Sequence, residues 1–236
     1  MINQQRRKLL GAGSLLAGVS ALSLTANAMG AKATLAQNNN RNAENAIMAE
    51  NVYLNLNDVQ FLFADLHPAL VNTSITNSPG QLAGNAGSLA KVASVLKIPM
   101  LFLTVTKGGV IPELASYANS QNTIFRTNAD PFQEPSIIDA LATNKRNTLI
   151  VAGYSTEVAV LLSVLGARSH DYQVHVVVDC IGSHSSRTES ASLVQASQAG
   201  AVQTSVLTVA AQLAPEFSRE PGKTILSIIS DVLNRS

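Results

Sequence analysis

From residue 51 onward, short apolar runs alternate with segments in which apolar side chains recur about every 3.6 residues. The apolar runs predict β-strands at 60–65, 100–105, 149–152, 174–179 and 201–206. The periodic segments predict helices at 81–97, 134–143, 154–169, 187–199, 208–213 and 223–233. Short apolar strands that alternate with helices are typical of a parallel sheet covered on both faces. We therefore predict a three-layer α/β/α Rossmann-like sandwich with a mostly parallel sheet of five to six strands.

Polar residues follow the ends of several predicted strands, where parallel sheets bind their ligands. Asp65 ends the first strand, so burial should raise its pKa and a nearby cation should lower it. Such a carboxylate can act as a general acid or base. Arg126 follows a β-branched and aromatic run, and it can pair with Asp65, hold a substrate carboxylate with two hydrogen bonds, or lie on the surface. Thr106, Lys107, Asp179 and Cys180 also follow strands.

The most informative segment is 149–160, with the sequence LIVAGYSTEVAV. An apolar strand ends at Gly153 and turns sharply into a helical pattern, which places backbone N–H groups at the ligand-binding edge. An anion or a carbonyl oxygen can bind to such N–H groups. We predict a small-molecule ligand here, with binding residues Tyr154, Ser155, Thr156 and Glu157.

The N-terminal residues have the composition of an export signal. Arg6, Arg7 and Lys8 precede a mildly apolar stretch at 11–24 and an A-x-A site at 26–28. The paired arginines favour the twin-arginine export machinery, and the apolar stretch is short for a membrane anchor. We predict a cleaved signal peptide at 1–28, a flexible polar leader at 29–50 and a domain at 51–236, located in the periplasm or secreted by a bacterium.

Composition narrows the possible partners and cofactors. The chain of 236 residues is 46% hydrophobic and 13% charged, which fits one domain with a large core. Its net charge of +1 falls to −2 without the three cations of 1–28, and no stripe of Lys and Arg suggests nucleic acid. A single cysteine, Cys180, excludes an intrachain disulfide. We predict no metal and no cofactor, because four histidines lack the spacing of metal ligands: His67, His170, His175 and His184.

Several of these motifs together resemble one known family. Residues 149–160 resemble the signature of the isochorismatase-like cysteine hydrolases, which runs roughly hydrophobic-x-G-x-x-T-E-V-C-V. Residues 61–67 resemble the family's first-strand motif D-x-Q, with His67 in place of the glutamine, and Arg126 matches a branch that has arginine as the catalytic cation. Residues 176–183 and 198–201 resemble later motifs, V-D-A-x-G-S and Q-A-G-A, so that the similarity spans about 51–215.

This resemblance implies catalytic roles for Asp65 and Arg126, but it places Ala159 where the family has its nucleophilic cysteine. A cysteine near a helix N-terminus gains thiolate character, and alanine removes the covalent route through a thioester. Ser155 and Ser163 lie one turn on either side without an evident base, and Cys180 is a further candidate for a relocated nucleophile. The nicotinamidase branch binds metal through a D-x-H motif, which is missing after the second strand here.

Three hypotheses about function follow from this pattern. The first is an exported, catalytically degenerate member that binds a small carboxylate or amide. The second is a hydrolase that works without the thiol and uses Asp65 as general acid, as the resemblance to isochorismatases that cleave a vinyl ether implies. The third is a non-catalytic scaffold. A homo-oligomer is expected in each case, because relatives commonly assemble.

Overall fold

A computed structural model describes residues 53–105 and 109–235 of the chain. The described residues from 54 to 235 belong to one compact unit. The predicted signal peptide (1–28) and leader (29–50) lie outside the described residues, and so do Thr106 and Lys107.

In the part of the chain that the structure describes, six parallel strands form one sheet, which confirms the predicted α/β class. Their spatial order is β3-β2-β1-β4-β5-β6. The strands are β1 (Val59–Ala64), β2 (Met100–Thr104), β3 (Thr123–Phe125), β4 (Thr148–Tyr154), β5 (Gln173–Gly182) and β6 (Val202–Thr204).

Helices cover both faces of the sheet. They are α1 (Pro68–Val71), α2 (Pro79–Val95), α3 (Pro135–Thr143), α4 (Leu161–Ser169), α5 (Ser186–Gln198), α6 (Val206–Leu213) and α7 (Gly222–Leu233). Hydroxyl side chains begin several of them: Ser78, Ser185 and Ser205 each accept a hydrogen bond from a backbone N–H in the first turn of the helix that follows. In the described residues, no helix is long and apolar enough to cross a membrane.

Two hydrophobic clusters lie on opposite faces of the sheet. Phe61 and Phe63 of β1 point to one face and pack there with residues of α2 and α6, whereas Leu62 and Ala64 point to the other and pack with residues of α3 and α4. All six residues of β1 are buried as a result. This two-sided burial is the reason why the central strands have continuous apolar sequences.

The order of the strands places the candidate site. The chain moves outward from β1 to β2 and β3, and then returns to the other side of β1 for β4. In open parallel sheets, ligands bind at such a reversal, beyond the carboxyl ends of the strands. Ala64 pairs with both Leu103 of β2 and Gly153 of β4, so the residues that follow these strands lie at the same edge.

The structure corrects two predictions about element bounds. α1 has no predicted counterpart, and β5 continues to Gly182, so Asp179 and Cys180 lie within the strand rather than after it.

Three further differences concern the edge strands and the helix after β4. β3 was predicted only as a β-branched run, because a strand of three partly exposed residues has no clear periodicity. The predicted strand 201–206 is wrong at its end: β6 stops at Thr204, and Val206 begins α6 after the Ser205 cap. The predicted helix after β4 begins as a π-helix, Thr156–Val160, before α4 continues it.

Candidate functional site

A cavity of about 420 Å³ opens at the carboxyl ends of β1 and β4. It brings together the three predicted catalytic positions, Asp65, Arg126 and Ala159, which are far apart in the sequence. Its walls combine apolar and polar side chains, from Asp65, Leu70, Val105, Arg126, Thr127, Ala129, Tyr154, Ser155, Val158, Ala159 and His184.

Asp65 is the first residue after β1, and two backbone hydrogen bonds fix its position. Its N–H donates to the carbonyl oxygen of Leu103 at 3.0 Å, and its own carbonyl accepts from the N–H of His67 at 2.8 Å. The backbone has a φ of 56°, in the left-handed region that non-glycine residues rarely adopt. This sharp turn at the end of the strand places the carboxylate in the wall of the cavity, where only 3% of the residue is exposed.

Arg126 forms a buried ion pair with Asp65. Nε donates to Oδ1 at 3.3 Å, and Nη2 donates to Oδ2. Nη1 donates to the backbone carbonyl oxygens of Asn128 and Ala129, the latter at 3.0 Å. Of the three alternatives that the sequence left open for Arg126, the structure has the pair with Asp65.

The pKa of Asp65 reflects two opposing influences. Burial is the larger and raises the pKa above 3.8, while the hydrogen bond and the positive charge of Arg126 lower it. The pKa remains raised because the side chain lies almost entirely out of water. The carboxyl group therefore has a property that a general acid needs, namely a stabilised protonated form.

Glu134 organises the loop that follows Arg126, and sequence reasoning missed it. Its Oε1 accepts hydrogen bonds from the backbone N–H groups of Thr127 at 2.9 Å and Asn128 at 3.0 Å, and from both side chains. These bonds, led by the two from the backbone, lower the pKa of Glu134 to about 2. The only sequence signal was its place just before Pro135, where a helix begins.

Ala159 lies in the π-helix at the end of β4. The N–H of Val160 donates to the carbonyl oxygen of Ser155 at 3.2 Å, which is the five-residue spacing of a π-turn. The peptide bond between Tyr154 and Ser155 is cis. Ala159 is 1% exposed and contributes a methyl group to the cavity wall.

Of the four predicted binding residues, Tyr154 and Ser155 line the cavity. The Tyr154 hydroxyl is fixed by a hydrogen bond of 2.8 Å with the hydroxyl of Thr73. His184 also lines the cavity, edge-on to Tyr154 with ring centroids 6.0 Å apart. The sequence analysis considered His184 only as a metal ligand and excluded it, and its place just after β5 became clear only from the structure, where that strand continues to Gly182.

Thr156 and Glu157 do not line this cavity. The Thr156 hydroxyl lies 3.0 Å from both the Gly182 carbonyl oxygen and Glu189 Oε2. The Glu157 carboxylate accepts from the hydroxyls of Ser183 and Thr188. Burial tends to raise the pKa of Glu157, but these hydrogen bonds together hold it below 4.5. Both side chains thus tie the π-helix to the end of β5 and the start of α5.

The motifs predicted a family, and comparison with known proteins shows it. The family model described as the isochorismatase domain matches residues 80–207. The chain belongs to the isochorismatase family. A relative, the probable hydrolase YcaC of Escherichia coli, is 28% identical over 155 residues. The match covers 64% of this chain and 74% of YcaC. A secreted isochorismatase effector of Phytophthora sojae is 34% identical over 101 residues, or 42% of this chain and 48% of the effector.

Solved structures of YcaC share the isochorismatase-like fold. YcaC of E. coli, an octameric hydrolase of unknown specificity, has a TM-score of 0.72 and 27% identity, and the match covers 78% of this chain and 94% of YcaC. YcaC of Pseudomonas aeruginosa also has a TM-score of 0.72, with 24% identity and a cover of 78% of this chain and 96% of that one. The prediction of an isochorismatase-like cysteine hydrolase superfamily member is therefore confirmed.

Of the three other candidate nucleophiles, Cys180 and Ser163 lie in unsuitable places, and Ser155 borders the cavity. Cys180 is fully buried and does not line the cavity, and burial raises the pKa of its thiol well above 9.0. The Ser163 hydroxyl, also buried, donates to the Ala159 carbonyl oxygen at 2.6 Å. Ser155 borders the cavity as the residue before the π-helix.

The described residues contain no group of three or more His, Cys, Asp or Glu that could hold a metal ion. His67, which stands beside Asp65, uses Nδ1 to accept a hydrogen bond from the N–H of Ala69 at 3.1 Å. It therefore acts as the N-cap of α1. His175 lies in β5, where burial lowers its pKa and favours the neutral ring.

Proposed function

We propose that this isochorismatase-family protein binds a small carboxylate or amide without forming a covalent intermediate. One observation carries the proposal: the side chain of Ala159, rather than a thiol, shares a cavity wall with the ion pair of Asp65 and Arg126. A methyl group cannot attack a carbonyl carbon, so the thioester route of the family is lost.

The rest of the cavity supports ligand binding. Its volume lies within the roughly 300–1,000 Å³ that is usual for small-molecule sites. The aromatic ring of Tyr154 and the aliphatic side chains of Leu70 and Val105 offer apolar contact, and the hydroxyl of Ser155 offers a hydrogen bond. Of the backbone N–H groups at 156–159, that of Val158 donates to the Ser155 carbonyl oxygen at 3.3 Å, so we propose the N–H of Ala159, in the cavity wall, as the site for a carbonyl oxygen or an anion.

Restoring the thiol tests this proposal. We expect the wild type to be inactive on small amides and esters, and Ala159→Cys to gain hydrolysis that Asp65→Asn in the same background removes. The matched control is Ala129→Cys, which adds a thiol to another wall of the same cavity and should stay inactive. A covalent acyl adduct on the wild type, detected by mass spectrometry, would contradict the loss of nucleophilic chemistry.

A second candidate is a hydrolase that uses Asp65 as general acid and needs no nucleophile. The raised pKa of Asp65 favours it, because a proton donor must hold its proton near the working pH. In that case the wild type would turn over a substrate such as isochorismate, and Asp65→Asn would abolish the activity while Ala159→Cys would not be required.

We further propose that the protein is exported through the twin-arginine machinery and functions in the periplasm or outside the cell. Arg6 and Arg7, the A-x-A site and the secreted relative of P. sojae support this. Replacing both arginines by lysine should retain the precursor inside the cell, and N-terminal sequencing of the exported protein should begin at Met29. An exported double variant, or a mature chain that retains Arg6, would contradict the route.

The protein is also proposed to form a homo-oligomer, since its relative YcaC of E. coli is octameric. Native mass spectrometry of the purified protein should show more than one copy, and a monomer at micromolar concentration would contradict this. An oligomer in which the cavity is closed and takes up no ligand would favour the third hypothesis, a non-catalytic scaffold.

A further inference from the structure

The hydrogen-bond register of the π-helix decides which N–H groups bind to the end of β4. The carbonyl oxygen of Ser155 accepts from the N–H of Val160, five residues on, at 3.2 Å. In an α-helix the donor to this oxygen would be the N–H of Ala159, four residues on. The π register therefore gives the Ser155 oxygen another donor than the N–H that we propose as the ligand site.

The π-helix also has two sides with different contacts. Ser155, Val158 and Ala159 line the cavity, whereas Thr156 and Glu157 do not. Ser155 is the N-cap, but its side chain makes no capping hydrogen bond to the helix. Since π-turns are rare compared with α-turns, contacts outside the helix must favour this register. The side chains of the first two residues, which point away from the cavity, supply such contacts.

Glu157 ties the π-helix to the end of β5 and the start of α5. Its Oε1 accepts hydrogen bonds from the hydroxyls of Ser183 and Thr188. Ser183 is itself fully buried, and its hydroxyl accepts from the N–H of Ser185 at 3.0 Å. Glu157 is therefore anchored on side chains that the neighbouring elements hold in place.

A second carboxylate, Glu189 in the first turn of α5, anchors the preceding residue. Its Oε2 lies 3.0 Å from the hydroxyl of Thr156 and 2.8 Å from the hydroxyl of Thr76, in the loop between α1 and α2. Thr76 also accepts from the N–H of Ser183 at 2.9 Å. The two carboxylates thus connect the π-helix to three other parts of the chain.

We propose that Glu157 and Glu189 are positioning residues, which hold the π register so that the N–H of Ala159 faces the cavity. This inference rests on the proposed function, because it concerns the N–H proposed there as the site for a carbonyl oxygen or an anion. Neither carboxylate lines the cavity, so both act through the π-helix and not on the ligand. Without the two acceptors the turn should relax to the α register, in which Ala159 donates to the Ser155 oxygen.

Two double variants separate the hydrogen bonds from the charges. Glu157→Ala/Glu189→Ala removes the acceptors together with both carboxylates. The matched control is Glu157→Gln/Glu189→Gln, which makes the same change in formal charge. Each pair of hydroxyls contacts a single carboxylate oxygen, so the one amide oxygen of glutamine can replace it.

Crystal structures of the two double variants show the register directly. In the alanine variant we expect the N–H of Ala159 to donate to the Ser155 carbonyl oxygen. In the glutamine variant we expect the N–H of Val160 to remain the donor. If Val160 is also the donor in the alanine variant, the positioning role is wrong, whatever the other measurements give.

A thiol at position 159 gives an independent measurement in solution, without a ligand. In the Ala159→Cys background, the N–H groups of the turn should stabilise the thiolate. Removing two negative charges would by itself lower the pKa of this thiol, whereas loss of the π register should raise it. We expect iodoacetamide to label residue 159 at least about fivefold more slowly near pH 7 in the alanine variant, and no more slowly in the glutamine variant. Peptide mass spectrometry distinguishes this thiol from Cys180.

The outcomes separate this inference from the proposed function. Unchanged labelling in the alanine variant, or equal slowing in both variants, would contradict the positioning role and leave the binding cavity intact. If labelling and register change as expected but the wild type binds neither benzamide nor benzoate in calorimetry, the positioning role stands and the proposed function loses support.

Circular dichroism shows whether the alanine double variant folds. If it does not, Glu189→Ala alone takes its place in both measurements. The glutamine variant decides the matter if that variant also fails to fold: slower labelling than in Ala159→Cys contradicts the inference, and an unchanged rate together with the π register supports it.

Discussion

At the residue scale, the buried ion pair of Asp65 and Arg126 is the main electrostatic feature of the cavity wall. Asp65 is held by the turn after β1, and Arg126 by the backbone hydrogen bond from its N–H to the Thr104 carbonyl oxygen at 2.9 Å. Removing one partner of a buried ion pair lowers the free energy of unfolding strongly, because the other charge stays buried without compensation. Replacing the whole pair by apolar residues has a much smaller effect on this free energy. The stability of this site should therefore depend strongly on pH.

Arg126→Ala should lower the free energy of unfolding by about 3–5 kcal/mol near neutral pH. The native pKa of Asp65 is already raised, so its contribution to stability falls as the pH rises from 3.8 through the native pKa. Without Arg126 the pKa of Asp65 is higher still. The loss of unfolding free energy in Arg126→Ala, relative to the wild type, should therefore be small below pH 3.8 and grow as the pH rises. Urea unfolding of both proteins across this pH range measures the difference in their free energies of unfolding.

The control for this variant is Arg168→Ala. Arg168 donates to backbone carbonyl oxygens, those of Ala199 at 3.0 Å and Tyr172 at 2.8 Å, rather than to a carboxylate. Its loss should destabilise the protein by an amount that does not change over the same pH range. If the loss of stability in Arg126→Ala is also independent of pH, the charge of Asp65 is not the cause of that loss.

At the scale of the elements, the close approach of β1 and β4 sets the shape of the cavity edge. A Cβ atom on Gly153 would lie 2.5 Å from the carbonyl oxygen of Ala64 and 3.0 Å from its Cβ. We expect Gly153→Ala to lower the free energy of unfolding by about 1–3 kcal/mol through this overpacking. Gly80→Ala is the control, because nothing lies within 4 Å of the added methyl group at the exposed start of α2.

The two glycine variants are compared by urea unfolding. Gly80→Ala should leave stability unchanged or raise it by up to about 1 kcal/mol, the usual difference between alanine and glycine in a helix. Equal destabilisation by both substitutions would mean that the contact with Ala64 is not the cause.

The loop between β3 and α3 depends on one carboxylate. Glu134 accepts bonds from Thr127 and Asn128, and Asn128 and Ala129 in turn accept from Arg126. Glu134→Gln should speed hydrogen exchange at the backbone N–H groups of 127 and 128 and lower Tm. Since the native pKa of about 2 lies below the usual 4.5, the stabilisation by the wild-type carboxylate is present above pH 4.5 and lost as the pH falls towards 2.

Glu113→Gln, which removes an exposed carboxylate elsewhere, should leave exchange at 127 and 128 unchanged. If Glu134→Gln also leaves this exchange unchanged, the loop is held by Arg126 alone.

Local sequence predicted most elements, and the exceptions have physical reasons. β1, β4 and β5 have apolar runs because both faces of the sheet are covered, which also explains why the fold class was predictable. β3 was not predicted, because an edge strand of three residues lacks a repeating pattern. The π-helix was not predicted either, since its wider turn depends on how β4 meets α4.

At the scale of the whole molecule, Cys180 reports on the integrity of the fold. It lies in β5 with no exposed surface, and burial raises its pKa well above 9.0. The native wild type should therefore resist iodoacetamide and react only when it unfolds, because the thiolate is the reactive form. Mass spectrometry after labelling measures this.

Ala159→Cys provides the comparison, since its new thiol borders the cavity and should be labelled in the native state while Cys180 is not. Rapid labelling of Cys180 in the native wild type would contradict the burial that the structure assigns to it.

The sequence alone determined the family, the α/β class and the positions that follow the strands, because these depend on local apolar patterns and short motifs. It predicted Asp65, Arg126 and Ala159 as the catalytic positions, and the structure places all three in one cavity. Tertiary structure decided how they are used. Arg126 donates to Asp65, 61 residues away, and to its own loop, while the Glu157 carboxylate accepts from Ser183 and Thr188. Such choices depend on competing partners that only the folded chain brings within hydrogen-bonding distance.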